Sequence, residues 1–291
     1  MADITPQMVK DLREKTGAGM GDCKKALVEA NGDMKEAIEI LRKKGAASAE
    51  KRASKAANEG IVATRISNDY KNASIVELNC ETDFVARNEE FIKYAEIVAD
   101  AYHNNNVNSL AELLSVNFGT DTVQGIHNEI LAKFSENIGI RRFEKINTSN
   151  GFIVDYIHAG SKLGVLIEFE GDVANVTESA RLLGRDIAMQ VAAMNPRFVD
   201  RSSVNQETLD KEKEIYTQAA IAEGKKPEIA ERIAQGKLDK FFSEFCLNEQ
   251  TFVKDPNKVI NDVVAEISKE LGTTVKIKSY RRYFLGESTE E

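Results

Sequence analysis

Cysteine and histidine are scarce in this chain of 291 residues, three of each. Cys23, Cys80 and Cys246 are odd in number, far apart and include no Cys-x-x-Cys pair. Neither a disulfide framework nor a thiolate zinc site is indicated, and the thiols read as reduced cytosolic ones. His103, His127 and His158 contain no pair at i,i+4 spacing, so the helical signature of metal binding is missing. No apolar run approaches the ~20 residues of a membrane span. Met1-Ala2-Asp3-Ile4-Thr5-Pro6 is neither a basic-then-apolar signal nor an Arg-rich presequence, and the cytoplasm is the expected location. Gly17-Ala18-Gly19-Met20-Gly21-Asp22 imitates a dinucleotide loop, yet it lies between two helical patterns and puts Asp22 where a third Gly belongs. No Gly-x-x-x-x-Gly-Lys-Ser/Thr loop occurs, and nothing local brings a Ser or Cys together with His and a carboxylate. The net charge of -8 and pI near 5.2 argue against a broad nucleic-acid or anionic-membrane surface. By elimination the chain reads as a binding protein and not an enzyme, with no cofactor, no metal, no membrane and no nucleic acid, and with a protein partner or small ligand as the default.

What is present is ordinary globular material, 42% hydrophobic and 30% charged, long enough for two or more domains. Thr5-Pro6 opens a helix with Val9 and Leu12 that stops at Gly17. Asp22 is placed to cap a second, and Asp33 opens a third with Ala37, Ile40 and Leu41, closed by Gly45. Residues 1–45 thus form a small helical module. Residues 46–58, rich in Ala, Lys and Arg, read as a solvated basic helical linker, the alternative being a phosphate-binding stripe.

From Gly60 the apolar period becomes two. Strands at 61–66 and 75–80 form a hairpin; helices follow over 89–102, around Leu110–Leu114 and from Val123 to Phe134, then a strand through Ile138, Ile140 and Arg142. The order recurs: a hairpin from Phe152 to Phe169, a helix ending at Asn195-Pro196, an insertion, a helix with Val259, Val263 and Ile267, and a strand from Thr274 to Leu285. The expected class is α+β: a three-helix bundle and two similar subdomains, 59–148 and 149–203 with 246–286, each a three-stranded antiparallel sheet with helices on one side. The repeat is one of element order, not of residues. The insertion, 204–245, reads as an antiparallel helical hairpin with Leu209, Tyr216 and Ala219 facing Ile229, Ile233 and Leu238, either projecting as an arm or packed flat. Residues 287–291 are a tail.

Cys80-Glu81-Thr82-Asp83-Phe84-Val85-Ala86-Arg87 stands apart, since it sets a large aromatic beside an acid on a strand-to-helix connection, where binding residues concentrate. Position alone favours a Phe84 folded under the loop as core. His127 reads as a helix-surface or boundary residue, and His158, ending a strand before Ala159-Gly160, as exposed enough to be a contact.

Leu12 to Leu27, with Thr16-Gly17-Ala18-Gly19-Met20-Gly21-Asp22-Cys23-Lys24-Lys25 inside it, and Cys80-Glu81-Thr82-Asp83-Phe84-Val85 closely resemble the bacterial elongation factor Ts family, the guanine-nucleotide exchange factors of elongation factor Tu. The resemblance continues through Asn137 to Arg142 and Tyr156 to Leu166 and covers nearly the whole chain. It implies a ubiquitin-associated-like N-terminal module, a two-part core and a coiled-coil arm. It also implies a partner-binding set of Arg13, Met20, Lys24, Arg52, Thr82, Asp83, Phe84, Val85 and His158, with Asp83 and Phe84 entering the partner beside its magnesium and phosphate site. Departures are Gly21, where relatives carry Met, and Phe134-Ser135, where relatives carry Ile-Gly. Some members continue into a further C-terminal module, and contacts made by that module are expected to be absent here. The competing reading is an RNA- or ribosome-associated protein using Arg141-Arg142, Arg281-Arg282 and the linker lysines on phosphates.

Overall fold

The structure, a computed structural model, describes residues 4–52 and 55–287, and for residues 46–52 the backbone alone. Helices α1 (Pro6–Thr16), α2 (Met20–Glu29) and α3 (Met34–Arg52) bury Leu12, Cys23, Ala26, Leu27, Ala37 and Leu41 against one another. Thr5 Oγ1 accepts from the Met8 N–H at 3.3 Å and Pro6 occupies the first turn, while Gly17, at φ 68°, ends α1. Two expectations fail here. Helix α2 starts at Met20 behind Gly19, and Asp22 sits in its first turn, where a carboxylate still suits the helix N-terminus. Gly45 does not close α3, which continues to Arg52. It is glycine for another reason: a Cβ there would lie 2.8 Å from the backbone N and Cα of Ala132 on the helix that α3 crosses.

The first half of the core comprises β1 (Glu59–Ile66), β2 (Asn72–Cys80), α4 (Asp83–Ala86), α5 (Glu89–Asn104), α6 (Leu110–Ser115), β3 (Asn117–Phe118), β4 (Asp121–Thr122), α7 (Val123–Phe134) and β5 (Gly139–Asn147). The second comprises β6 (Gly151–Ile157), β7 (Leu163–Glu170), α8 (Glu178–Met194), α9 (Gln206–Ala222), α10 (Pro227–Phe245), β8 (Thr251–Phe252), β9 (Asp255–Val259), α11 (Ile260–Leu271) and β10 (Lys276–Phe284). The antiparallel sheets run in the orders β1-β2-β5 and β10-β7-β6. The two-residue strands of β3-β4 and the short β8-β9 pair were not foreseen, being too brief to show a period.

Helices cover one face of each sheet, but the other face is not solvated. Val62, Ala73, Ile75 and Ile146 of the first sheet meet Ile153, Leu166 and Tyr283 of the second in a shared apolar layer. With both faces covered, the central strands β2 and β7 are buried almost end to end. Strand β7 shows this as the apolar run Val165-Leu166-Ile167, whereas β2 interleaves Ser74, Glu77 and Asn79 with its apolar residues. Thr64 Oγ1 donates to Asp155 Oδ2 at 2.6 Å and the Val62 N–H to the Ser161 carbonyl at 2.7 Å, tying the halves at the rim.

The repeat of element order extends to a few equivalent positions. Gly60 and Gly151 open the first strand of each half at φ 150° and 145°, each pressed on a central-strand carbonyl, Leu78 or Phe169, that a Cβ would strike. Tyr70 and Ser161 hold φ 59° and 54° in the two hairpin turns. Glu77 and Glu168, both buried, occupy the central strands beside a β-bulge. Glu77 accepts from Arg141 Nη1 at 3.0 Å and Arg142 Nε at 2.6 Å, and Glu168 from Lys278 Nζ at 2.8 Å and Ser279 Oγ at 3.0 Å. Arg281 pairs with Glu144, and Arg282 Nη1 with Glu287 Oε1 at 2.5 Å. All four arginines of the RNA reading are therefore engaged by carboxylates of the chain itself.

Helices α9 and α10 pack chiefly on each other and, through α10, on the Leu247–Glu249 turn, so the hairpin projects as an arm. Its seam is built on Ala220, Ala230, Ala234 and Leu238, with Ala219 and Ile229 exposed. Leu238 is buried as anticipated and Leu209, Tyr216 and Ile233 are half-buried, but Ala220 and Ala230 take the places expected of Ala219 and Ile229. That shift of one position, on a helix of 3.6 residues per turn, rotates the face by about 100°. At the root Phe241, Phe242 and Cys246 are buried with Val204. The bundle rests on α7 through α3, whose Arg42 bonds Asp121 at 2.8 Å and also pairs with Glu129.

Candidate functional site

Strand β2 ends at Cys80, and the chain turns at Glu81-Thr82 into α4, a helix of four residues. So short a helix has no stability of its own. Three features hold it. Thr82 is its N-cap, its Oγ1 accepting from the Val85 N–H at 3.4 Å. Val85 and Ala86 are buried in the first-half core. Arg87 closes over Asp83 at 3.3 Å, an exposed i,i+4 pair.

Phe84 is left out. It is 83% exposed, against the position-based expectation of a core residue, because burial is taken up by Val85 and Ala86 on the opposite side of the turn. An exposed aromatic on a braced turn is the arrangement of a contact residue.

The brace comes from a residue that sequence reasoning missed. Glu136 Oε2 accepts from the backbone N–H groups of Glu81 and Thr82, each at 3.1 Å, and Glu136 Oε1 accepts from Thr82 Oγ1 at 2.7 Å. In return Glu81 Oε1 accepts the Asn137 N–H at 2.7 Å. Glu136 follows Ser135, whose φ of 51° ends α7. No local motif marks Glu136, since its partners are more than fifty residues away and the approach exists only after folding. The Cys80 thiol donates to the Thr82 carbonyl at 3.2 Å. Burial, with the Glu136 charge second, pushes this thiol up to about 12, so it stays a protonated donor.

An open groove of about 460 Å³ runs from Ala86, Arg87 and Ile92 to Ile157 and Gly160 of the β6-β7 turn. Its lining includes Ala86 and Arg87, which follow the Asp83-Phe84 turn in the chain, and Ile157 and Gly160, which flank His158, while Asp83, Phe84 and His158 themselves do not line it. His158 is exposed at the end of β6, with its Nδ1 2.8 Å from Tyr156 Oη. Arg13, Met20 and Lys24 are exposed on α1 and α2 of the bundle and line no part of the groove; the Arg52 side chain lies outside the described residues. Gly21 is exposed with nothing within 4 Å of a Cβ, and Ser135 ends α7 in the left-handed conformation that a glycine would adopt without strain. Among the described residues no group of three His, Cys, Asp or Glu is placed to hold a metal, and no helix is long and apolar enough to cross a membrane.

A helical bundle, two sheets packed face to face, a projecting arm and an aromatic held out on a braced turn define an α+β protein built for contact with another macromolecule. The family model described as Elongation factor TS matches residues 81–287. Elongation factor Ts of Clostridium perfringens (strain SM101 / Type A) is 46% identical over 289 residues, covering 99% of this chain and 95% of the relative. That of Clostridium botulinum (strain ATCC 19397 / Type A) is 45% identical over 293 residues, covering 99% and 94%. The chain belongs to the elongation factor Ts family, whose members are translation elongation factors with a nucleotide-exchange role.

Proposed function

We propose that this chain acts in the cytoplasm to release GDP from elongation factor Tu by stabilising the nucleotide-free partner, with Asp83 and Phe84 as the wedge at its magnesium and phosphate site. A factor that binds the empty form more tightly than the loaded form weakens the nucleotide by the same free energy. Magnesium and the phosphate loop hold the β-phosphate in such GTPases, and disturbing either speeds release. Phe84 has the bulk to part packed elements, and Asp83 the charge to engage backbone N–H groups or to oppose the phosphates. Thr82 caps the wedge and Val85 roots it. Arg13, Met20, Lys24 and Arg52 of the bundle and its extension, and His158 at the end of β6, supply the remaining contacts.

The observation that carries this reading is the 83% exposure of Phe84 on a turn whose neighbours are fixed. The test is release of a fluorescent GDP from a Tu-type GTPase. The wild-type chain accelerates release, and Phe84→Ala lowers the maximal rate far more than it weakens association. Release by the variant at the wild-type rate would sink the wedge.

A further inference from the structure

Phe84 presents an unusual mechanical problem. A side chain that must push on a partner needs a rigid base, yet 83% exposure means that its own packing supplies almost none. The helix beneath it has four residues, below the length at which a helix holds itself together. Val85 and Ala86 anchor the far side of that helix. The near side, where the chain leaves β2, is fixed by the Glu136 carboxylate, which gathers two successive N–H groups and the Thr82 hydroxyl on its two oxygens.

We propose that Glu136 is a positioning residue for exchange: without touching the partner, its carboxylate sets the direction in which the Asp83-Phe84 turn is presented. This rests on the wedge reading above. The chemistry favours a carboxylate here. Two adjacent backbone donors and a hydroxyl converge on one point, and an ionised group accepts such bonds about twice as strongly as a neutral one. The Thr82 hydroxyl is used twice, donating to Glu136 and accepting from the Val85 N–H, so the clamp and the helix cap are one connected network. Glu136 is itself held close to a firm element, since Ser135 ends α7 and the Asn137 N–H is fixed by Glu81. Loss of the clamp leaves α4 attached through Val85 and Ala86 but free to tilt. A wedge at variable tilt still reaches its partner and spends less time in the productive pose.

The experiment measures fluorescent GDP release against factor concentration for wild type, Glu136→Ala, Glu136→Gln and Phe84→Ala, together with backbone amide exchange of residues 81–87 in the factor alone. Glu136→Ala is expected to lower the maximal release rate by about tenfold while the half-saturating concentration moves less than about threefold. Glu136→Gln, which can turn its amide oxygen to the two N–H groups and its NH2 toward the rotatable Thr82 hydroxyl, is expected to recover most of that loss. Amide exchange of Glu81 and Thr82 quickens in the Ala variant. A maximal rate at the wild-type level, a change confined to the half-saturating concentration, or unchanged exchange at Glu81 and Thr82 each overturns the proposal. Failure of the wedge itself is a separate result, seen as full activity of Phe84→Ala or no stimulation by the wild-type chain.

Discussion

Phe84 and Val85 are adjacent in the chain and opposite in burial, 83% against 6% exposed. Their truncations separate function from folding. Phe84→Ala is expected to leave stability within about 0.5 kcal/mol of wild type while slowing stimulated GDP release. Val85→Ala is expected to cost about 1–3 kcal/mol by opening a cavity under α4. Urea denaturation beside the release assay measures both.

Glu77 and Glu168 occupy equivalent places, yet their partners differ in freedom. The Arg142 side chain is 19% exposed and crosses the Tyr283 ring at 4.0 Å, whereas the Lys278 side chain is 51% exposed and can turn to water. Glu77→Gln therefore leaves confined guanidinium charge uncompensated and is expected to cost about 3 kcal/mol. Glu168→Gln is expected to cost only about 1 kcal/mol. The shift of each denaturation midpoint distinguishes them.

At Gly45, α3 presses directly on the backbone of α7. Gly45→Ala drives a Cβ to 2.8 Å from the Ala132 backbone, and the overpacking is expected to cost about 1–3 kcal/mol in bundle docking. Limited proteolysis between α3 and β1 is expected to quicken, with the melting of the core little changed. Equal proteolysis of variant and wild type would show that the crossing tolerates a methyl.

His127 sits half-buried with its Nδ1 2.6 Å from Tyr94 Oη, and burial pushes the imidazole down to about 4. The unfolded chain takes up a proton near pH 6.5 that the folded protein refuses. Stability present at neutral pH is then lost as pH falls from about 6.5 toward 4, by roughly 2 kcal/mol between about pH 7 and pH 5. His127→Asn is expected to flatten most of that slope in denaturation measured at both pH values.

Much of the architecture could be read from the chain because periodicity and caps are local: Thr5-Pro6 and Gly17 bracket α1, and the period-two runs locate β1, β2, β6 and β7. What escaped depends on approach between distant segments. Gly45 reads as a helix stop until Ala132 is seen against it. The apolar run Val165-Leu166-Ile167 of β7 announces a buried strand without saying that a second sheet covers it, and β2, interrupted by Ser74, Glu77 and Asn79, does not announce even its burial. At the site, the order Thr82-Asp83-Phe84 gave the turn and the resemblance gave its importance, but spacing alone put Phe84 inside. Glu136 was invisible, since nothing in Ser135-Glu136-Asn137 points back to Thr82.

The layer of Val62, Ala73, Ile75 and Ile146 against Ile153, Leu166 and Tyr283 belongs half to each repeat. Either repeat in isolation would bare one side of it, an apolar sheet face that associates with its like. The core is in that sense a dimer closed within one chain. The two members differ at the rim, and only the first carries an aromatic on the turn that follows its central strand.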